Sequence, residues 1–425
     1  MSIILIVGAN GFIGSHLVAA LADAGHEIVC AVKKVPPREE LRRFTCIPVD
    51  YTRDFDADVW KARILGIDIV INAVGIIREH GRQTFEALHE RAPRALFSAS
   101  AAAGIRILQI SALGADETAS SQYHLSKKAA DDYLLAISNQ AVVVQPSLVY
   151  GAGGASANMF NLIASLPVVP LPGAGNQKIQ PIHIDDLTQA IVALVETDRY
   201  QGQRLSLVGP EPLTLQRYLS ELRHLMGLGP GRFVHVPITL IDIAAQIGKW
   251  SGKGMLDVDT WQMLQRGNTA DCGTTQALLG REPRPVSKFS SQWEAKHLGL
   301  SALLGWLQLV LRLSIAAVWL VAGVVSMGIY PVEESYILLA RVGITGALAP
   351  VALYGAAALD IAFGLGTLFL RDRRLLWIAQ ATLIGIYTIT ITFFLPEFWL
   401  HPFGPLIKNL PILAAILLLY ELEKR

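Results

Sequence analysis

The stretch that most constrains this chain is Val7-Gly8-Ala9-Asn10-Gly11-Phe12-Ile13-Gly14-Ser15. It follows a run of strand formers, Ile3-Ile4-Leu5-Ile6-Val7, and opens a segment apolar at Leu17, Val18 and Leu21 that ends near Gly25. Strand, glycine turn, helix is the context in which such a spacing marks a dinucleotide site. Glycines let the backbone turn tightly and approach a pyrophosphate, and the helix N-terminus supplies free N–H groups and partial positive charge. Gly8, Asn10, Gly11, Phe12, Ile13 and Gly14 are therefore expected to line the phosphates. Glycines that merely end a strand or seat a helix on a sheet would not require that order of elements.

Up to about residue 300, short apolar runs alternate with polar helical patterns. Candidate strands after the first are Ile28–Val32, Cys46–Val49, Ile67–Asn72, Ile105–Ser111 and Val142–Ser147, with a helical pattern over Thr84–Ala103 among others. Strands separated by helices predict parallel βαβ units, an α/β doubly wound parallel sheet of Rossmann type over residues 1–282. Ligand belongs beyond the carboxyl ends of the strands. A smaller substrate lobe is expected mainly from residues 151–282.

Two strand ends address the adenosine. A site selective for NAD carries an acid near the end of the second strand, to hold the ribose hydroxyls. Here that place reads Val32-Lys33-Lys34, and lysine suits a 2′-phosphate, so NADP(H) is favoured over NAD(H). The alternative is that Lys33 and Lys34 are solvated loop residues. Asp50-Tyr51 follows the third strand, where an acid can accept from the adenine amine. Ala73, Val74 and Gly75 follow the fourth strand and are small enough to leave room for a nucleotide across the sheet.

The chemistry candidates come next. Ser111 ends the fifth strand on the ligand side. Tyr123 stands twelve residues later and Lys127 one helical turn beyond it, so the two share a helix face. A cationic lysine beside a phenol is expected to lower the phenol pKa toward working pH and make it a usable general acid or base. The spacing alone is weak, since Tyr420 and Lys424 repeat it at the far end of the chain. Its position after a serine-ended fifth strand is what singles out Tyr123.

Gly8-x-x-Gly11-x-x-Gly14, Ser111 and Tyr123-x-x-x-Lys127 are joined by Gln145-Pro146-Ser147-Leu148-Val149-Tyr150-Gly151 and Pro181-Ile182-His183-Ile184-Asp185-Asp186-Leu187. Together they resemble an extended or atypical short-chain dehydrogenase/reductase over roughly residues 1 to 280. The segments after Ser111 and Pro181 most resemble the branch related to the 39 kDa subunit of respiratory complex I. The resemblance implies that Ser111 orients a carbonyl, Tyr123 donates its proton, and Lys127 binds the nicotinamide ribose and tunes Tyr123. It also implies that Pro146 and Ser147 border the nicotinamide. Some members of that branch keep the nucleotide and lose the tyrosine; this chain keeps it. His16, His183 and Asp185 have no second ligand cluster, and a His-x-Asp after a strand more often closes a loop than binds metal. No metal site is expected.

Composition then divides the chain. Hydrophobic residues make up 52% and charged residues only 17%, against about 25% charged in ordinary soluble domains. The excess lies beyond a polar stretch, residues 283–300, which reads as a linker or a peripheral surface helix. Apolar segments near 303–327, 347–370, 375–395 and 403–420 predict an all-α transmembrane four-helix bundle over 301–425, the fourth shorter and broken by Lys408, Asn409 and Pro411. Arg371, Arg373 and Arg374 flank the second connection and Lys424 and Arg425 follow the fourth segment, which puts both termini inside by the distribution of basic residues. That orientation, a chain that enters a strand without a secretory leader, and Cys30, Cys46 and Cys272 without metal or disulfide spacing agree on a cytoplasmic nucleotide domain at the inner membrane. With 36 basic against 35 acidic residues, nothing suggests nucleic acid as a partner.

Arg312, Asp360 and Lys408 fall within the expected spans, where an unpaired charge costs about 2.5–3.5 kcal/mol or more. Arg312 and Asp360 both count about ten residues in, roughly 15 Å at helical rise, so they are expected to pair, with Gln380 and Asn409 extending a polar interior. The His401-Pro402-Phe403-Gly404-Pro405-Leu406-Ile407-Lys408-Asn409-Leu410-Pro411 stretch resembles the DoxX-like membrane domains, some of which are linked to quinone-coupled or thiol redox processes. Three functions follow. One is an NADPH-dependent oxidoreductase acting on a carbonyl of a hydrophobic, lipid or quinone-related substrate. Another is a nucleotide-binding scaffold or sensor for respiratory-complex proteins. The third is a bundle that transports something, gated by the soluble domain, which rests on the Arg312–Asp360 pair.

Overall fold

The apolar runs of the first 300 residues become a parallel sheet. The computed structural model describes residues 1–33, 39–251, 258–402 and 404–423. Its first strands are β1 (Ile3–Val7), β2 (Glu27–Val32), β3 (Thr45–Pro48), β4 (Ile69–Asn72), β5 (Arg106–Ile110) and β6 (Val142–Pro146). Shorter strands β7 (Val149–Tyr150), β8 (Val168–Pro172), β9 (Lys178–Ile179) and β10 (Ile182–His183) precede β11 (Gln203–Leu207), β12 (Leu213–Thr214) and β13 (Arg232–Val236). Seven of them form one sheet in the order β11-β6-β5-β4-β1-β2-β3, parallel throughout. The chain reverses direction of winding between β1 and β4, and there the crevice for a ligand opens.

Alternation along β1 explains how the sheet is covered. Ile4 and Ile6 pack on one face with Leu17, Val18 and Leu21 of α1 (Phe12–Asp23). Leu5 and Val7 pack on the other with Trp60 of α2 (Ala57–Lys61), Leu96 and Phe97 of α3 (Ala92–Ala102), and Ala130 and Leu134 of α4 (Gln122–Ile137). Both faces are buried, so the central strands read as unbroken apolar runs. β11 escaped the sequence reading because it is an edge strand whose Gln203 and Arg204 are exposed. Thr84–Ala103 is not one regular helix either: a π-helical turn at Glu86–Arg91 precedes α3.

Beyond β6 the chain builds a second core from Tyr150, Phe160 of α5 (Ala155–Ser165), and Tyr218 and Leu222 of α7 (Leu215–Leu225). Helix α6 (Ile184–Val195) lies in sequence between them and joins α1 on the sheet. Residues 283–300 are partly drawn into this lobe: Val286 and Phe289 are buried in its core. Arg284 donates to Asp185 at 2.8 Å, and Arg281 donates to Asp186 at 2.7 Å. His183 ends β10 and caps α6 by accepting from the Asp185 N–H, with no loop between strand and helix. Helices α8 (Ile238–Ser251), α9 (Val258–Arg266) and α10 (Gly273–Leu279) complete the unit, residues 1–302.

Residues 303–425 form the second unit, from α11 (Gln292–Val324), α12 (Val332–Arg341), α13 (Leu348–Phe369), α14 (Arg374–Phe394) and α15 (Asn409–Leu422). Among the described residues, three helices, Trp293–Ile329, Leu348–Phe369 and Arg374–Phe394, are long and apolar enough to cross a membrane. The fourth expected span, 403–420, is a 14-residue helix that begins only at Asn409. Pro411 has no N–H with which to bond a preceding turn, so Lys408 precedes the helix and is exposed rather than lying inside a span. Phe403, Lys424 and Arg425 lie outside the described residues. Ile315, Trp319, Trp377, Ile384, Ile416 and Leu419 form the bundle core.

The expected Arg312–Asp360 pair is not made. Arg312 donates to Glu423 at 2.9 Å, Arg373 lies 3.6 Å from the same carboxylate, and the Trp377 indole donates to its other oxygen at 2.8 Å. The depth count misled because α11 starts well before residue 303. Arg312 stands level with the end of α15, whereas Asp360 lies well inside α13. Gln380 donates to Thr367 at 2.8 Å and Asn409 to Thr388 at 2.8 Å, so the neutral amides do find partners inside the bundle.

Candidate functional site

The glycine turn is built for close approach. Gly8 has φ +88°, and a Cβ there would lie 2.9 Å from the Ala73 carbonyl carbon. A Cβ on Gly14 would lie 2.1 Å from the Gly8 oxygen. The Gly11 N–H donates to Gly8 O at 2.8 Å, and Gly11 heads α1 without a side-chain cap. The first-turn N–H groups therefore have no acceptor of their own within the helix. The Asn10 Oδ1 is buried with no partner. Ile13 packs on the core beneath the turn, and Phe12 stacks edge-on with His16 at 5.2 Å.

At the adenosine end, Lys33 and Asp50 come together across the tips of β2 and β3, 3.4 Å apart. Burial pushes the Asp50 carboxyl up, but hydrogen bonds from Thr52 and the charge of Lys33 outweigh it and hold Asp50 below the usual range. Lys34 lies outside the described residues. The Tyr51 side chain is not in this cleft. Its hydroxyl donates to Asn72 at 3.0 Å under the sheet, and Asn72 in turn donates to Gln109 at 2.7 Å. Asp50 opens a turn after β3, its carbonyl accepting from the Arg53 and Asp54 N–H groups at 2.9 Å, and that turn carries the Tyr51 ring beneath the sheet.

The other end gathers the expected chemical groups with different bonds. Lys127 is buried and donates to the carbonyls of Val74 and Ile110 at 3.0 and 3.1 Å. Gly75 leaves it space, since a Cβ there would lie 3.2 Å from the lysine nitrogen. Ser111 donates to Asp131 at 2.5 Å. Asp131 is fully buried and its second oxygen has no partner. Burial raises the Asp131 carboxyl against the pull of Ser111 and Lys127, and burial lowers Lys127 against the pull of Asp131. Pro146 and Ser147 adjoin at the end of β6. Pro146 O accepts from the Leu113 N–H at 2.9 Å, and Ser147 donates to Gln180 O at 2.6 Å.

Tyr123 is set among aromatic rings, edge-on to Phe85 at 6.1 Å and to His89 at 5.6 Å. Its phenol is pushed up to about 12, first by burial and then by the charge of Asp131. This reverses the expected lowering by Lys127, whose ammonium is held by two backbone carbonyls. Tyr123 is thus poised to hold its proton at neutral pH.

His89 and Asp131 were not read from the sequence. Asp131 was accessible in principle, four residues after Lys127 on the same face of α4. His89 sits in the π-helical turn, whose extra residue shifts the facing from the regular 3.6 period. His89 Nε2 accepts from the Ile76 N–H at 3.0 Å, so Nδ1 carries the proton and donates to Ser126 Oγ at 2.9 Å. Ser126 donates to the Tyr123 carbonyl at 2.9 Å. Burial, reinforced by Lys127, pushes His89 down to about 2, so the ring is neutral. It ties the loop after β4 to the first turn of α4, where Tyr123 sits.

These residues fit a nicotinamide dinucleotide. The glycine cradle at the head of α1 suits the pyrophosphate, and Ala73, Val74 and Gly75 are small residues beside β1.

Comparison with known proteins agrees with this geometry. Residues 4–207 match the NAD dependent epimerase/dehydratase family, and residues 316–417 match the DoxX-like family. A ceramide reductase of Caulobacter vibrioides is 30% identical over 261 residues, covering 59% of this chain and 78% of the relative. Subunit 9 of the NADH dehydrogenase (ubiquinone) 1 alpha subcomplex of Arabidopsis thaliana mitochondria is 28% identical, over 55% of this chain and 60% of the relative. A nucleoside-diphosphate-sugar epimerase from Staphylococcus aureus superposes with a TM-score of 0.55 at 18% identity, over 68% of this chain and 99% of that one, which shows the shared fold. The chain belongs to the NAD-dependent epimerase/dehydratase family of extended short-chain dehydrogenase/reductases, joined to a C-terminal DoxX-like domain.

Proposed function

We propose that the protein is an NAD(P)H-dependent oxidoreductase, anchored in the inner membrane with both termini in the cytoplasm, that reduces a carbonyl of a hydrophobic substrate. The observation that carries this reading is that Ser111 and the Lys127 ammonium, bonded to Ile110 O, lie at the carboxyl end of β5, with Tyr123 one helical turn before Lys127 on α4. The bound nicotinamide supplies the hydride. Tyr123, whose proton is firmly held, donates it to the substrate oxygen as charge develops there. Ser111 turns its hydroxyl from Asp131 to the same oxygen, and the buried Lys127 charge stabilises the phenolate left behind. The ceramide reductase relative supports a lipid, with a quinone-related molecule as the alternative carbonyl. Lys33, with no acid at the end of β2, supports NADP(H). The basic cluster Arg371, Arg373 and Arg374 supports the orientation.

The test is NADPH and NADH oxidation by detergent-solubilised full-length protein, with membrane lipids and quinones offered in turn. Oxidation that stops in Tyr123→Phe supports the reading. No oxidation by any of them, with Tyr123→Phe cells growing as wild type, removes it.

A second reading is a nucleotide-holding scaffold for respiratory-complex proteins. It is favoured by the NADH dehydrogenase subunit relative and by the Ser111 hydroxyl being turned to Asp131. Nucleotide that co-purifies without turnover, together with a stable partner complex, would favour it. The transport reading loses its basis with the Arg312–Asp360 pair.

A further inference from the structure

Helix α8 turns an apolar face outward. Leu240, Ile243 and Ile247 are 55%, 55% and 59% exposed, and Ala244 between them is exposed as well. Positions 240, 243, 244 and 247 form one stripe of an α-helix. Ala245 and Gly248, to one side of the stripe, are buried. On the far side, Asp242 accepts from the Trp261 indole of α9 at 2.7 Å. The helix is therefore seated on α9 with its aliphatic stripe free. Each large aliphatic side chain left in water forgoes about 1.5–3 kcal/mol.

We propose that this stripe docks on the surface of a phospholipid bilayer, with α8 lying in the headgroup region. The inference rests on the reading that the C-terminal helices span a bilayer, which places lipid within reach of every copy of the chain. At 14 residues α8 is too short to span, so it lies flat. Its one acid, Asp242, is occupied by Trp261, and the stripe itself carries no charge.

The docking bears on the site through α9. Asp259 accepts from the N–H of Gln122, the residue before Tyr123, at 3.0 Å. Arg266 donates to Gly114 O at 2.5 Å and pairs with Asp116, in the loop that follows Ser111. The lipid-facing helix is thus one hydrogen-bonded layer from both sides of the chemical end. A bilayer-dissolved substrate would enter there.

The experiment uses full-length protein in vesicles of phosphatidylethanolamine and phosphatidylglycerol, in a Cys30→Ala, Cys46→Ser, Cys272→Ser background. Spin labels are placed singly at Ile243→Cys, Ile247→Cys, Gln246→Cys and Val321→Cys. Collision with oxygen is compared with collision with a water-soluble nickel chelate. The labels at 243 and 247 are expected to favour oxygen at least about fivefold more than the label at 246, on the polar shoulder. In Leu240→Asp, the label at 247 is expected to lose that preference while NADPH binding is retained. Nickel access at 243 and 247 equal to that at 246 overturns the proposal, and so does shielding from both reagents, which would mean a protein face. The label at 321 reports the span alone. Nickel access there would sink the spanning reading, whereas oxygen access there with a wet α8 sinks only this inference.

Discussion

In the sheet unit, buried Lys127, Asp131, His89 and Asn72 are bonded to one another's neighbours or to backbone carbonyls at the ends of β4 and β5. In the helical unit, Arg312, Arg373 and Glu423 gather at one end, and inside the bundle Gln380 and Thr367 keep neutral hydrogen bonds. A charge facing lipid costs about 2.5–3.5 kcal/mol or more; Arg312, Arg373 and Glu423 pair at the end of the bundle, and Asp360 of α13 is turned inward and buried. A sheet domain with wet strand ends has no such penalty and can concentrate titratable groups where it works on a substrate. In the function proposed above, the first unit carries the chemistry and the second the anchorage.

The sharpest way to break that assignment is at Tyr123. Tyr123→Phe is expected to lower the oxidation rate about 10²–10⁴-fold while leaving NADPH affinity within about twofold, measured by single-turnover kinetics and titration calorimetry. Next in size is Gly14→Val. Its Cβ would collide with the Gly8 carbonyl, and nucleotide binding should weaken about 100-fold, with the helical unit unchanged by circular dichroism.

The bundle is tested at Arg312. Arg312→Leu removes the closer partner of Glu423 and should cost about 2 kcal/mol of bundle stability in detergent-denaturant titration. Asp360→Asn should leave the Arg312–Glu423 pair in place, which the denaturation midpoint would show.

A fourth test uses pH. His89 titrates near 6.5 when unfolded and about 2 when folded, so the unfolded chain binds the extra proton. The contribution is fully present above about pH 6.5 and is lost as pH falls. At pH 5 the sheet unit should be weaker by about 2 kcal/mol on this account, and His89→Gln should flatten part of that slope in the thermal midpoint. The smallest effect is expected at Lys33. Lys33→Ala should reduce preference for NADPH over NADH about tenfold, read as the ratio of the two dissociation constants.

The alternation of Ile4 and Ile6 with Leu5 and Val7, and the glycine turn after them, made the sheet and its cradle legible from sequence. Ser111 lies at the end of β5, and Tyr123 and Lys127 lie one turn apart on α4, as their sequence positions require. Their bonding could not be read. Which acceptor a buried lysine finds depends on where the β4 loop passes, and no spacing in the sequence encodes the Val74 carbonyl. His89 was hidden because a π turn breaks the period on which facing is computed. Glu423 was hidden because its partner is 111 residues away in sequence, and charge depth had been counted from a helix start that lies earlier in the chain. Edge strand β11 was missed because solvent, not a neighbouring strand, chose its polar residues.

The most direct test of the central claim is transfer of label. Full-length protein in detergent is incubated with NADPH deuterated at the transferable position and a membrane lipid extract, and the lipids are read by mass spectrometry. The account predicts a deuterated alcohol derived from a lipid carbonyl, formed by the wild type and absent with Tyr123→Phe. Deuterium that stays on tightly bound NADPH in both proteins would contradict it and leave the nucleotide a structural part of an assembly.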